Sequence, residues 1–380
     1  MRLICIILLL LLSSCLHKKA GNSLSVIIPD EFSAKSKNIL DCVDTVMYVQ
    51  LDNSILIPKI IKSFWLDSCI IVHSYEGILR YDEKGRFMYK IGDVGEGPEE
   101  YPRNLYYVTV DKVEQVVYVY LIFQEELLSY SFSGKFLNRV PVQIPANLKK
   151  IVYPEPNAFF VQDDLLFFYY NTNQGLDKTK PLYWLSVDKD GRLVHFRKGY
   201  DDKLKNTNGA GFFLFPMNAC DNTVVYWDLL NDTVFSVGAH RATPVYLWGK
   251  GNFRLLETDG MSIPIERRIC TMFADTNLFS LFLLTNYGSG DSKVMFYGFY
   301  DKQEKLFYRL GEEELIFDKK TGLSLWGREL QYDVIDRREY LLTQVQTVDL
   351  MNISELLPWG IDPDDLEGNP VLVLIRLKDE

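Results

Sequence analysis

The chain is short of the residues that make metal and nucleophile chemistry recognisable. Its 380 residues include four histidines (His17, His73, His195 and His240), far apart, and six cysteines. None falls in a Cys-x-x-Cys or His-x-x-x-His spacing, so a zinc hydrolase has no ligand set. There is no Gly-x-Ser-x-Gly elbow, and no glycine-rich loop followed by Lys-Ser/Thr, which removes the common hydrolase and nucleotide signatures. No Lys/Arg run exceeds two residues and the net charge is −10. That balance argues against a nucleic-acid partner and against electrostatic docking on anionic lipid.

Long apolar runs are missing too. The longest, Leu3–Leu12, has about ten residues, half of what a spanning helix needs. Met1-Arg2 precedes it and Leu12-Ser13-Ser14-Cys15 follows, the charge, length and small-residue pattern of a secretory signal ending in a lipidation cysteine. Residues 1–14 are therefore read as a signal peptide, Cys15 as the acyl-anchored first residue of the mature chain, and 15–42 as a polar tether. Within it Leu24–Ile28 is a candidate docking strand. Of the remaining cysteines, Cys42, Cys69, Cys220 and Cys270 allow three pairings, but Cys69 opens an apolar run (Cys69-Ile70-Ile71-Val72) and buried thiols are expected.

What is abundant is short β-type runs. A hydrophobic content of 47% supports a substantial core. From Val43 the apolar period is two, with Val43, Thr45, Met47, Val49 and Leu51 on one face. Helical periodicity is confined to Ile263–Phe273 and a turn at Asn352–Leu356. Evenly spaced strands without helices mean a sandwich, barrel or propeller.

Repeats choose among these. Tyr81-Asp82-Glu83-Lys84-Gly85-Arg86-Phe87 is a hairpin in which Asp opens the turn and Gly takes the left-handed position. Tyr130–Phe136 repeats it without the Asp, Val187–Leu193 repeats it in full, and Tyr300–Leu306 is a worn copy with Glu304 in place of glycine. Gly134 follows Gly85 by 49 residues and Gly191 follows Gly134 by 57; Glu304 lies 113 further on, two units away. Asn231-Asp232-Thr233-Val234-Phe235 falls in that gap. This is a propeller period, and the span from Leu56 to Leu377 accommodates about six units. A propeller must hide the edges of its first and last blades, and Val43–Leu51 and Pro370–Leu377 are the two unpartnered strands that could pair to close the ring.

These segments resemble the six-bladed β-propeller lipoproteins of Bacteroides and related bacteria. The resemblance rests on the Cys15 lipobox, Val43–Leu51, Tyr81–Phe87, the loop Ile91-Gly92-Asp93-Val94-Gly95-Glu96-Gly97-Pro98-Glu99-Glu100-Tyr101, Asn231–Val234 and Asn369–Leu374. It covers essentially the whole mature chain. It implies an all-β, six-bladed propeller over 43–380 at the bacterial cell envelope, as an outer-membrane lipoprotein held to the bilayer through Cys15. Leu16–Gly21 carries no acidic residue, which favours a periplasm-facing location.

Chemistry is less legible. The loop leaving the first blade mixes carboxylates, an aromatic and a guanidinium, so Asp93, Glu96, Tyr101 and Arg103 are the candidate ligand-binding residues. The same loop also reads as a tight inter-blade connection built on glycines, with Tyr101 packing between blades. Exposed aromatics at a propeller mouth could stack on sugars or peptides, the candidates being Trp65, Tyr75, Tyr106, Tyr107, Trp184, Trp227, Trp248 and Trp326. A binding or scaffold module without cofactor, for a glycan, peptide or envelope protein, is the favoured reading. The alternatives are a Ca²⁺-dependent lactonase or lyase using Glu76, Asp163, Asp164, Asn218 and Asp221, and an accessory to an outer-membrane uptake complex.

Overall fold

The computed structural model describes residues 26–28, 32–33, 35–104, 106–149, 156, 158–162, 164–170, 182–198, 217–218, 224–227, 233–238, 242–248, 268–286, 295–327, 329–351, 357, 361–362 and 368–379. The strands form six four-stranded antiparallel blades around an axis, a six-bladed β-propeller. Blade 1 runs outward from the axis as Ile60–Leu66, Cys69–Ser74, Gly77–Asp82 and Phe87–Lys90. Blade 2 is Tyr106–Asp111, Val116–Leu121, Glu126–Ser131 and Phe136–Pro141. Blade 3 is Ala158–Gln162, Leu165–Tyr169, Leu182–Val187 and Leu193–Lys198. Blade 4 is Met217–Asn218, Val224–Trp227, Thr233–Val237 and Ala242–Trp248; blade 5 is Arg268–Asp275, Phe279–Asn286, Met295–Asp301 and Leu306–Leu310. Blade 6 takes Gln331–Ile335, Arg338–Val345 and Val371–Leu377 from the C-terminal side and Val43–Gln50 from the N-terminal side.

That last blade closes the ring. Val43–Gln50 pairs antiparallel with Val371–Leu377, from Val43 opposite Leu377 to Gln50 opposite Val371. A register shift between Val43 and Thr45 changes the face pattern read from the sequence. Val43, Val46 and Tyr48 pack with the cluster shared by blades 5 and 6, while Met47 and Val49 pack with that of blades 6 and 1. Asn369 fastens the join. Its side-chain carbonyl accepts from Ile57 N–H at 2.6 Å, and its amide donates to the carbonyls of Asp52 and Ile55, each at 2.8 Å.

Neighbouring blades meet face to face through aromatic and branched side chains. Phe64 and Ile71 pack with Val117 and Tyr130 between blades 1 and 2; Tyr120 packs with Phe159 and Phe168 between blades 2 and 3. Phe167, Tyr169 and Trp184 meet Val224 and Val237 between blades 3 and 4. Each such ring removes roughly 150–250 Å² from water, on the order of 4–6 kcal/mol at about 25 cal/mol/Å². These clusters are the core, which lies between sheets rather than along the axis.

The repeated hairpin has a second meaning in three dimensions. Gly85, Gly134 and Gly191 have φ of 82°, 86° and 78°, the left-handed region that glycine enters without strain. A Cβ on Gly85 would also stand 2.1 Å from the carbonyl oxygen of Gln50, and one on Gly191 would stand 2.2 Å from that of Pro141. Gln50 and Pro141 belong to the outermost strands of the preceding blades. Glycine is therefore required twice, for the turn and for the approach of one blade to the next. Asp82 and Asp188 hold their turns by accepting from backbone N–H groups two and four residues on. The worn copy solves the turn differently. Asp301 accepts from Gln303 and Glu304 N–H, the left-handed residue is Lys305 (φ 57°), and Asp301 pairs with Leu306 without a bulge. Asp111–Gln115 in blade 2 is a second turn of that kind (Gln115 φ 55°), which the sequence did not announce for want of a glycine.

Two expectations change. The helical period over Ile263–Phe273 does not make a helix, since Arg268–Asp275 is the inner strand of blade 5. Its run of Ile, Cys, Thr, Met and Phe suits a strand buried against neighbours, and a short apolar run carries no reliable period. The segment read as a tether is partly built into the ring. Val26–Ile28 adds a parallel strand to the outer edge of blade 4, Phe32 packs edge-on to Phe296 at 5.4 Å, and Ile39 is fully buried between blades 5 and 6. Cys15, Asn352–Leu356, Asn231 and Asp232 lie outside the described residues. Cys42 and Cys69 are buried free thiols, and burial pushes Cys42 up to about 11.

Candidate functional site

In an antiparallel blade alternate turns fall at opposite ends, so the ring has two faces. The first-to-second and third-to-fourth strand turns lie on one face, here called the lower. The second-to-third turns and the connections between blades lie on the upper. The loop Gly92–Arg103, connecting blades 1 and 2, is on the upper face.

The loop is a locked structure. Tyr101 is fully buried; its hydroxyl accepts from Ile78 N–H at 3.1 Å and donates to the Ile91 carbonyl at 2.9 Å. Its ring packs on Tyr106 at 5.0 Å and edge-on to Tyr130 at 6.0 Å. Burial raises the Tyr101, Tyr106 and Tyr130 hydroxyls far above their ordinary value, so all three stay neutral. Blade 2 grips the loop from the other side. Tyr130 donates to the Glu99 carbonyl at 2.8 Å, and Arg139, paired with Glu126 at 2.5 Å, donates to the carbonyls of Gly97 and Pro98. Within the loop, the Glu100 carboxylate accepts from Gly97 N–H at 2.8 Å. Gly92 has φ 66°, and a Cβ there would stand 2.7 Å from the Tyr130 ring.

Of the four candidate residues, Tyr101 is thus an internal pin whose hydroxyl is fully used, out of a ligand's reach. Asp93 and Glu96 are exposed. Arg103 is also exposed (70%) and stands 3.9 Å from Glu76, a loose pair of little energetic worth. Glu76 belongs to the upper turn of blade 1, beside Tyr75, which is 49% exposed. On the far side of the loop the corresponding turn of blade 2 carries Phe123, 68% exposed, three residues before the Glu126 that holds Arg139. Val94, also exposed, lies near Gly77, where a Cβ would meet its methyl at 3.4 Å. Two exposed rings therefore flank a pinned loop bearing three exposed carboxylates, Asp93, Glu96 and Glu99, and a guanidinium.

The other aromatic candidates divide differently. Trp65, Tyr106 and Trp184 are buried core, and Tyr107 and Trp326 are half-buried. Trp227 and Trp248 sit in blade 4 strands. Phe123 was missed because phenylalanine in a strand-rich sequence reads as core, and its exposure follows only from its place in a turn. Of the carboxylates considered for a Ca²⁺ site, the two that are described, Glu76 and Asp164, do not converge. Glu76 is on the upper face, whereas Asp164 is in a lower turn with Lys189 at 3.4 Å. Asn218 ends the inner strand of blade 4, and Asp163 and Asp221 lie outside the described residues. Among the described residues no group of three His, Cys, Asp or Glu side chains is placed to hold a metal.

The family model described as "Domain of unknown function (DUF4934)" matches residues 26–376, nearly the whole ring. The chain belongs to the DUF4934 family. No curated protein matches it. Among solved structures, it is similar to a Bacteroides fragilis NCTC 9343 protein described as exported, at 15% identity and TM-score 0.65, covering 93% of this chain and 99% of that one. A member of the DUF4221 family from Bacteroides vulgatus ATCC 8482 follows at 12% identity and TM-score 0.51, covering 88% and 97%. Virginiamycin B lyase from Staphylococcus aureus matches at 10% identity and TM-score 0.39, covering 87% and 98%. At these identities the two Bacteroides structures establish the propeller for this DUF4934 member, and nothing of its chemistry.

Proposed function

We propose that this DUF4934 protein is a non-enzymatic binding or scaffold module of the bacterial cell envelope. The acyl chain on Cys15 holds it to the outer membrane, facing the periplasm, and the upper face of blades 1 and 2 receives a glycan or peptide. The observation that carries the reading is the pinned loop between Tyr75 and Phe123. A loop fixed by Tyr101, Tyr130 and Arg139 presents Asp93, Glu96 and Arg103 with little ordering cost on binding. Two exposed rings on either side offer flat apolar surface to a sugar ring or a side chain, while the charged groups fix its orientation. The signal-like N-terminus and the exported character of the B. fragilis protein support the envelope location.

The test is calorimetry and thermal shift of the mature chain against glycan and peptide panels, alongside metal analysis. Tyr75→Ala/Phe123→Ala and Arg103→Ala should weaken the ligand found by tenfold or more. As exposed substitutions they should shift stability by no more than about 0.5 kcal/mol. Unchanged affinity in both variants would place recognition elsewhere. A stoichiometric divalent ion whose removal abolishes turnover of a lactone would replace the binding module with the Ca²⁺ enzyme.

A further inference from the structure

A second feature, independent of the upper loop, lies on the axis. Lys62 is on the inner strand of blade 1. Its ammonium sits 4.9 Å from the Phe64 ring centroid and 4.6 Å from that of Phe160. Phe160 belongs to the inner strand of blade 3, and blade 2 stands between. A side chain that touches inner strands of blades that are not neighbours must lie in the axial channel. The Lys62 ammonium is enclosed by protein yet the side chain keeps some contact with solvent, as a channel-lining group would.

What Lys62 lacks is an anion. Among the described residues it makes no hydrogen bond and no ion pair. The carboxylate that acts on it, Asp333 of blade 6, is already engaged by Lys112 of blade 2, at 2.6 and 2.7 Å to its two oxygens. Among the described residues its other titratable neighbour, the cross-strand partner His73, is held neutral by burial and by Lys62 itself, down to about 3. Burial pushes Lys62 down to about 8, so at neutral pH it still carries its charge. Two ring faces compensate a desolvated cation only partly, and enclosed charges are ordinarily paired.

We propose that Lys62 anchors an anion site in the axial channel, taking a small monocarboxylate whose oxygens meet the ammonium on the side that Phe64 and Phe160 leave open. A single charge is inferred because, among the described residues, one unpaired cation faces the site and the Asp333 carboxylate acts on it closely enough to repel a dianion. A carboxylate paired to the ammonium would hold the proton on it and raise its pKa again.

Acetate is the minimal probe. Lysine acylation by acetic anhydride, kept far below the added salt because the reagent itself releases acetate, is followed site by site by mass spectrometry in the mature chain at pH 7, with acetate or chloride at equal ionic strength. Acetate should slow Lys62 selectively, by about tenfold for each unit its pKa rises. Inorganic phosphate should protect it less. Acetate should also raise the melting temperature of the wild type and not of Lys62→Met. An acylation rate at Lys62 indifferent to acetate, or an equal acetate gain in Lys62→Met, overturns the site. Protection by phosphate equal to that by acetate overturns the carboxylate class. If Lys62→Met does not fold, the acylation result on the native chain decides alone.

Discussion

The two faces of the ring use their charges in opposite ways. On the lower face charged side chains engage one another across blades. Lys112 of blade 2 reaches Asp333 of blade 6, Lys189 of blade 3 reaches Asp111 of blade 2, and Lys302 pairs with Asp275 within blade 5 at 2.8 Å. Lys37 of the N-terminal segment joins in, 2.6 Å from Asp301. On the upper face over blades 1 and 2 the buried tyrosines and Arg139 hold the backbone, and Asp93, Glu96 and Arg103 are left in solvent. One face satisfies itself. The other, over blades 1 and 2, leaves Asp93, Glu96 and Arg103 in solvent, which is what the proposed recognition surface needs.

The largest effect should come from removing the pin of the upper face. Tyr101→Ala deletes a fully buried ring and strands Ile78 N–H and the Ile91 carbonyl. A loss of about 3–5 kcal/mol in denaturant unfolding is expected, with new protease cleavage between residues 92 and 103. A cost under about 1 kcal/mol would mean the loop holds itself and the contrast between the faces is false.

Asp301→Ala tests the lower face and should cost about 1–3 kcal/mol, since Asp301 is nearly buried and serves Lys37 and two backbone N–H groups. Burial pushes its carboxyl up, but Lys37 and the N–H groups outweigh that and hold it below the ordinary value of 3.8. The difference between wild type and variant should therefore be full above pH 3.8 and shrink as acid carries the pH below it. A difference that grows in acid would contradict the pairing.

The smallest effect belongs to Lys112→Met. Its bridge to Asp333 spans the ring but is well exposed on the Lys112 side, so no more than about 1 kcal/mol should be lost, and less in high salt. A markedly larger loss would show that the lower face is a clamp rather than a set of solvated pairs.

How much of this could be read from the residues alone depends on how local each device is. A turn lies within six residues, so Asp82–Gly85 and Asp188–Gly191 declared themselves, and their spacing declared the ring. The same turn made with Gln115 or Lys305 in the left-handed position was silent or looked worn, because its signal is a backbone angle and not a residue type. Tyr101 could be placed in the right loop but not in its role, since its partners Ile78, Ile91 and Tyr130 come from strands on both sides of it. Lys62 was invisible. Nothing in Ile60-Ile61-Lys62-Ser63-Phe64 distinguishes a solvated strand lysine from one facing Phe160, which becomes its neighbour only when the ring is formed.

Assembling blade 6 from both ends of the fold carries a consequence for how the molecule comes into being. The N-terminal strand of blade 6, Val43–Gln50, finds its partner only when Val371–Leu377 has been delivered, more than 300 residues later. Until then a nascent chain can stack blades 1 to 5, but the arc stays open and both its margins stay unpaired. Contacts so distant along the chain make for slow folding. A slow, open-ended intermediate would suit the proposed export, in which the chain is threaded unfolded through a membrane before it closes.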